Sequence, residues 1–359
     1  MAIISCGECN NMIYLIIGSV RKFVLNFILY LFPDGAELNK HPFILGINAG
    51  IGMSLAIIPY LFIFSYFKEG KNKSMPYLAL KSLKENKHQI SPTIKIEKYI
   101  ILFFCGFLDF FQKILVFMFS YSLSNNLWIF NIVFLNIFTF MLYKIEIYKH
   151  QYFSSIIIIL LGIILNVINL RNMKLSDLPI LFLSIIIEIA YSLAIVLAKY
   201  GMDYRFCTPF EVTFYEGFFG LIMNIIFLII ATNMPLDKDF KYNKLLKITE
   251  YEGKKYLDYF QSYIDKLDFK EILLFLVTLI ERVLFNLFSH ITVKHFTATH
   301  VVFLIIMGEF QFSYEGKKSW EVAIYIFIFV VIFFMLLIFC EIIYKLMFVE
   351  WKKIQENAF

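Results

Sequence analysis

The sequence predicts an all-α membrane protein with ten transmembrane helices arranged as two inverted five-helix repeats. Three observations carry that expectation. First, 60% of the 359 residues are hydrophobic and the mean hydropathy is +0.73, whereas soluble domains run nearer 45–50% apolar. Second, the apolar residues fall into ten continuous runs. A bilayer core of about 30 Å needs roughly 17–25 such residues per helix, and backbone polar groups in lipid must be satisfied internally, so runs without alternation read as helices. Third, ten divides as five plus five. An odd-numbered unit repeated in tandem inserts its second copy upside down, the arrangement of inverted-repeat carriers whose sites lie near the bilayer midplane.

The runs are 12–32, 43–67, 99–121, 127–143, 152–170, 178–200, 210–233, 270–290, 300–314 and 320–348. The first contains Arg21 and Lys22 and the ninth is short. A tail (1–11) precedes the first five-helix unit (12–170), and the second unit (178–348) is followed by a tail (349–359). Two connections are long. The 68–98 loop has eight lysines against three glutamates and contains Pro76 and Pro92, so it reads as flexible and basic. The 234–269 loop balances seven lysines with seven acids. Within it Tyr256, Leu257, Tyr259, Phe260, Tyr263, Ile264 and Leu267 recur at helical spacing and predict an amphipathic surface helix. The positive-inside rule places the basic loop and both termini in the cytosol and 234–269 on the opposite side.

The net charge of +5 is modest and concentrated in one loop, so it speaks to orientation and not to nucleic-acid binding. Cys6-Gly-Glu-Cys9 has CxxC spacing, but no second pair or nearby histidine completes four zinc ligands, so no metal is expected. Cys105 and Cys340 fall in apolar runs, where cysteine behaves as a small hydrophobe. No basic segment precedes the first run and no small-residue cleavage site follows it, so no removable signal peptide is expected. Nucleotide-binding loops and the HExxH and GxSxG signatures are missing from the sequence, which disfavours an ATP-driven pump or a membrane protease and implies no cofactor.

Several runs carry charge. In the third, Asp109 and Lys113 are four apart with Gln112 beside them. A charge at the bilayer centre costs about 2.5–3.5 kcal/mol on the insertion scale, so this pair either faces a cavity or neutralises itself and locks packing. In the sixth, Glu188, Ser192 and Lys199 share a face; Glu188 is too deep to snorkel, while Lys199 is terminal and anchors at the interface. The seventh begins at Pro209 and places Gly217, Gly220 and Asn224 on one narrow face, with Glu216 just behind. Small residues on a membrane helix let two backbones approach closely, so Glu216, Gly217 and Gly220 are read as helix-packing residues. In the eighth, Arg282, Asn286 and His290 recur every four residues as one polar stripe, with Glu281 about a quarter-turn away. A cation, an amide and an imidazole in a row suit an anionic or zwitterionic solute in a wet cavity. Alternatively Arg282 lies near enough to the membrane surface to snorkel. Glu309 in the ninth run is also deep and is a candidate to pair with Arg282.

Three patches resemble a known group. Asn39-Lys-His41-Pro42-Phe43 is similar to the His-Pro-Phe start of the second helix in the solute carrier 35, or nucleotide-sugar transporter-like, branch of the drug/metabolite transporter (EamA-like) superfamily. Pro209-x6-Glu216-Gly217-x2-Gly220 is similar to that branch's seventh-helix motif. Phe285-Asn286-x2-Ser289-x3-Val293-Lys294-x2-Thr297-Ala298-Thr299 is similar to the stretch joining its helices eight and nine. Where the branch opens helix four with a polar Gln-x-x-Arg-Gly stretch, this chain has Trp128-Ile-Phe-Asn131-Ile132. Early in helix nine it has Val301 and Ile305 in place of Arg and Asp. Asn131, His300 and Glu309 remain as polar groups on those two helices, which help line the cavity in that fold.

The resemblance implies a multi-pass secondary transporter in an internal membrane, moving a small polar or anionic metabolite by alternating access. Its solute-binding candidates are Arg282, Asn286, His290, Glu188, Asp109, Gln112, Lys113, Asn131 and Glu309. The expected partners are the lipid bilayer and a small solute, not nucleic acid, with a homodimer left open. Two other classes remain: a non-transporting membrane scaffold, and a membrane-embedded enzyme using Glu188, His290 and Glu281 as acid–base groups.

Overall fold

The computed structural model describes residues 37–61, 92–118, 130–144, 149–170, 178–205, 207–236, 246–295, 326–328, 330–332 and 334–335. A 3-10 turn, Glu37–Lys40, leads into helix α1 (Pro42–Ser54), and helical structure resumes after a turn and runs to Leu61. There follow α2 (Pro92–Met118), α3 (Phe130–Tyr143), α4 (Lys149–Leu170), α5 (Leu178–Tyr204) and α6 (Pro209–Asn233). A two-stranded hairpin, β1 (Thr249–Tyr251) and β2 (Lys254–Tyr256), precedes the five-residue α7 (Phe260–Ile264) and the long α8 (Phe269–His295). Pro42–Leu61, Ile185–Tyr204, Pro209–Asn233 and Phe269–Lys294 are long and apolar enough to cross a membrane, and Asn131–Tyr143 and Tyr152–Ile164 are shorter apolar helices. The chain is thus mostly helical with several membrane-length helices. The apolar run 12–32, the run 300–314 with Glu309, the Cys6–Cys9 pair and most of the basic loop lie outside the described residues.

Two segments differ from expectation. The basic loop is shorter than 68–98 because α2 already begins at Pro92, where a proline at the first turn loses no helical hydrogen bond. The polar 234–269 segment does not form one amphipathic helix. Glu252 and Gly253 both take positive φ, 48° and 75°, and turn the chain back on itself, so Thr249 pairs with Tyr256 and Tyr251 with Lys254. The aromatic spacing that imitates a helical face instead stacks Tyr259 on Tyr251 and Tyr256, at centroid distances of 4.6 and 4.5 Å.

Helix starts are set by local chemistry. Thr208 caps α6: its hydroxyl accepts from the Glu211 N–H, and the Glu211 carboxylate accepts from the Thr208 N–H at 2.8 Å. α1 has no such cap of its own, since His41 makes no side-chain capping bond. Asp258, from the segment between the hairpin and α7, takes over that function by accepting from the N–H groups of Phe43 and Ile44 at 2.9 and 3.4 Å.

The bundle has two identifiable ends. At one, Lys98 near the start of α2 pairs with Glu211 at the start of α6 at 2.9 Å, and Lys294 near the end of α8 donates to the Met202 carbonyl near the end of α5. At the other, Asp258 holds the start of α1, Glu271 of α8 accepts from the N–H groups of Glu37 and Leu38, and the Met118 carbonyl at the end of α2 accepts from the Lys247 N–H. The start of α2 and the 246–268 segment therefore lie at opposite ends. Successive helices alternate in direction between them.

α1 and α6 pack closely against each other. A Cβ on Gly217 would stand 2.5 Å from the Met53 Cβ and 2.6 Å from the Ser54 nitrogen, and one on Gly50 would stand 2.8 Å from the Leu221 backbone. Only glycine fits these approaches, which is how small residues bring membrane helices together. Gly220 corrects the expected glycine face: a Cβ there meets nothing within 4 Å. The close approach belongs to Gly217.

The apolar interior is split in two. Leu102 and Cys105 of α2, Ile132 of α3, Val196 of α5, Val212 of α6 and Val293 of α8 form one cluster. Phe110, Ile114 and Phe117 of α2, Phe43 and Ile44 of α1, Leu228 of α6 and Leu274 of α8 form the other. On α6 and α8, Glu216 to Asn224 and Glu281 to His290 fall between the residues each helix gives to the two clusters. On α2, Asp109 falls at their junction.

Candidate functional site

That middle level holds the candidate site. It is built from three helices whose charged residues face inward although no helix alone requires it. On α2, the Lys113 ammonium lies 2.6 Å from the Asp109 carboxylate and 2.8 Å from the Met53 sulfur of α1. The i, i+4 spacing makes the first contact intrahelical. On α6 and α8, Glu216 Oε1 lies 3.3 Å from His290 Nε2. The other ring nitrogen of His290, Nδ1, is 2.9 Å from the Thr213 hydroxyl, which also donates to the Pro209 carbonyl at 2.8 Å. Asp109, Glu216 and His290 are only 6%, 4% and 6% exposed. Two acids and two bases thus form two pairs at one level of the bundle. Mutual neutralisation makes them tolerable, since an unpaired buried charge costs several kcal/mol.

The remaining members of the α8 stripe share a side but take separate partners. The Asn286 amide donates to the Arg282 carbonyl of its own helix at 2.8 Å. The Arg282 guanidinium sits over the Phe117 ring of α2, 5.5 Å from its centroid. Glu281 does not point elsewhere as its angular position predicts. It is buried, with its carboxylate 3.4 Å from Arg282 Nε. Gln112 is half-buried beside Lys113. Asn131 is buried on α3, where its side-chain oxygen accepts from Ser192 of α5 at 2.8 Å, so it serves the α3–α5 packing. Glu188 is half-buried one turn before Ser192. Lys199 does more than anchor at an interface: it pairs with Asp203 at 3.2 Å and donates to the Lys294 carbonyl.

Three participants escape sequence reasoning. Thr213 lies three residues before Glu216 and on its face, a spacing that could have flagged it. Met53 carries no sequence signal for a lysine contact. Asp258 is 0% exposed and bonds His41 Nδ1 at 2.6 Å, yet in sequence it is one acid among many in a polar loop.

Chemically, a hydroxyl, an imidazole and a carboxylate in line have the order of an activated nucleophile. The Thr213 hydroxyl is fully buried, however, and its single proton is directed at the Pro209 carbonyl. In that arrangement the ring does not accept the hydroxyl proton. What the cluster can do is hold charge and exchange protons. Among the described residues no group of three or more His, Cys, Asp or Glu side chains is placed to hold a metal ion. No protein-family model matches this sequence, and no curated protein matches it.

Proposed function

We propose that this chain is a secondary membrane transporter that moves a small polar or anionic metabolite by alternating access. In this reading it is a ten-helix, two-repeat carrier of the drug/metabolite transporter kind, in an internal membrane, with a nucleotide-sugar-like solute as the first candidate. One observation carries the reading: Asp109, Lys113, Glu216 and His290 form a charged layer between two apolar clusters, inside a bundle of membrane-length helices. Charge retained at that depth is costly unless it serves a pathway, and intramembrane ionisable groups mark such pathways. Apolar packing above and below a polar level is also what a carrier needs in order to open at one end while the other stays shut. Arg282, one level further along α8, supplies a planar donor suited to a carboxylate or phosphate.

The test is uptake of a metabolite panel into proteoliposomes by the purified full chain, with Arg282→Ala at matched abundance. Saturable uptake of an anionic solute that Arg282→Ala abolishes and Arg282→Lys weakens is the expected result. No uptake of any solute would favour the scaffold. Unchanged uptake by Arg282→Ala would place the cargo elsewhere.

A further inference from the structure

The bonds around His290 count its protons. A threonine hydroxyl has one hydrogen to give. If Thr213 gives it to the Pro209 carbonyl at 2.8 Å, then the contact with His290 at 2.9 Å needs the hydrogen on Nδ1. Neutral His290 would then present the lone pair of Nε2 to Glu216 Oε1 at 3.3 Å. Two acceptors facing each other in a buried site repel. One additional proton on Nε2 or on Oε1 relieves that repulsion, as imidazolium with carboxylate or as imidazole with carboxylic acid. Removing that proton has one inexpensive resolution: Nε2–H donates to the Glu216 carboxylate, Nδ1 becomes an acceptor, and the Thr213 hydroxyl turns from Pro209 to the ring. The bound proton is thereby read out as a hydrogen bond made or lost at the first turn of α6.

We propose that Glu216 and His290 form a proton-binding site whose loading and unloading is coupled to solute movement, with Thr213 relaying its state to the start of α6. The coupling rests on the transporter reading above; the proton site does not. On loading, one proton passes from water on one side to the pair, forming an N–H or O–H bond and raising the charge of the pair by one. On unloading, it returns to water on the other side. Among the described residues, the following titratable and charged groups surround the pair. α2 carries Asp109, Lys113 and the buried Cys105 thiol. Glu211 is the other acid on that part of α6 and is held by Lys98. Lys294 lies one turn further along α8, with Arg282 and Glu281 two turns back. α5 contributes Lys199, at the Lys294 carbonyl, and Glu188. Tyr60 is the titratable group of α1's described extension.

The test uses the full chain with 15N-labelled histidine in nanodiscs. The His290 signals, among six histidines, are identified by their loss in His290→Gln. Expected across a pH series is a switch from a form protonated at Nδ1 to one protonated at Nε2 alone. Glu216→Gln, whose amide can itself donate to Nε2, should abolish the switch. The wild-type titration stands even if that variant fails to fold. A single unchanging tautomer in the wild type overturns the site. Uptake of the metabolite panel is then recorded with and without a pH gradient, where one-to-one coupling supports about tenfold accumulation per pH unit. Uptake indifferent to the gradient overturns the coupling while leaving transport intact. A tautomer switch without uptake of any solute overturns the transporter reading and the coupling with it, but leaves the proton site in place.

Discussion

The two ends of the bundle are closed by different chemistry. At the end where α2 and α6 begin, closure is made by two ion pairs between helices, Lys98 with Glu211 and Arg205 with Glu97 at 2.6 Å, and by Lys294 donating to the Met202 carbonyl. The four side chains of those pairs are between 21% and 43% exposed. At the opposite end, carboxylates close on backbone. Asp258 is fully buried against His41 and the first N–H groups of α1, and Glu271 takes the N–H groups of Glu37 and Leu38. Exposed pairs contribute about 0–1 kcal/mol each and weaken in salt, whereas stripping the partner from a buried charge costs about 3–5 kcal/mol. The α2–α6 end is thus held by the individually weaker contacts, and the 246–268 segment is a buried clamp on the start of α1.

Removing the clamp should therefore have the largest effect. Asp258→Ala leaves the His41 ring without its partner and the first N–H groups of α1 uncapped, and we expect a loss of about 2–4 kcal/mol, read as a lowered thermal midpoint in detergent. A midpoint within experimental scatter of wild type would break the contrast between the ends. Next comes the seam between α1 and α6. Gly217→Leu drives a side chain into Met53 and Ser54 and should destabilise by about 1–3 kcal/mol or more. Gly220→Ala enters open space and should be nearly silent in the same melt. Equal effects at the two glycines would dissolve the proposed seam.

Smaller effects are expected at the other end. Lys98→Ala and Arg205→Ala should each shift stability by no more than about 1 kcal/mol, and the difference from wild type should shrink in high salt. They should also raise labelling of a cysteine placed at Tyr60 above that at the clamp.

The smallest effect is a pH response in the 3-10 turn. Burial pushes the Glu37 carboxyl up, but hydrogen bonds and charge from Lys40 and Lys266 outweigh it and hold the group below its ordinary value of 4.5. Its folded value is thus depressed. The stabilisation is present above pH 4.5 and is lost as the pH falls through the lower folded value. Hydrogen exchange at the Leu38 and His41 amides should rise over that acidic window relative to the rest of α1, and Glu37→Gln should remove the step.

Much of the helical layout is legible from residues. The run 210–233 becomes Pro209–Asn233 because Thr208, Pro209 and Glu211 spell a capping box with proline at the first turn. The Asp109–Lys113 pair is legible too, since residues four apart on a helix meet whatever surrounds them. The amphipathic helix expected in 234–269 fails for an equally local reason. Tyrosines at positions 251, 256 and 259 stack across a hairpin as readily as along a helix, and the turn at Glu252 and Gly253 settles which.

Sequence thus determined where apolar length and caps permit helices, and which of those helices carry charge into their interiors. Only the tertiary structure decided the partners. Thr213 and His290 are 77 residues apart and His41 and Asp258 are 217 apart, and no spacing rule within one helix can reach across such intervals. The register at which α1, α6 and α8 pack sets those contacts. That register depends on close approaches such as Gly217 against Met53, where the shapes of two surfaces must fit at once.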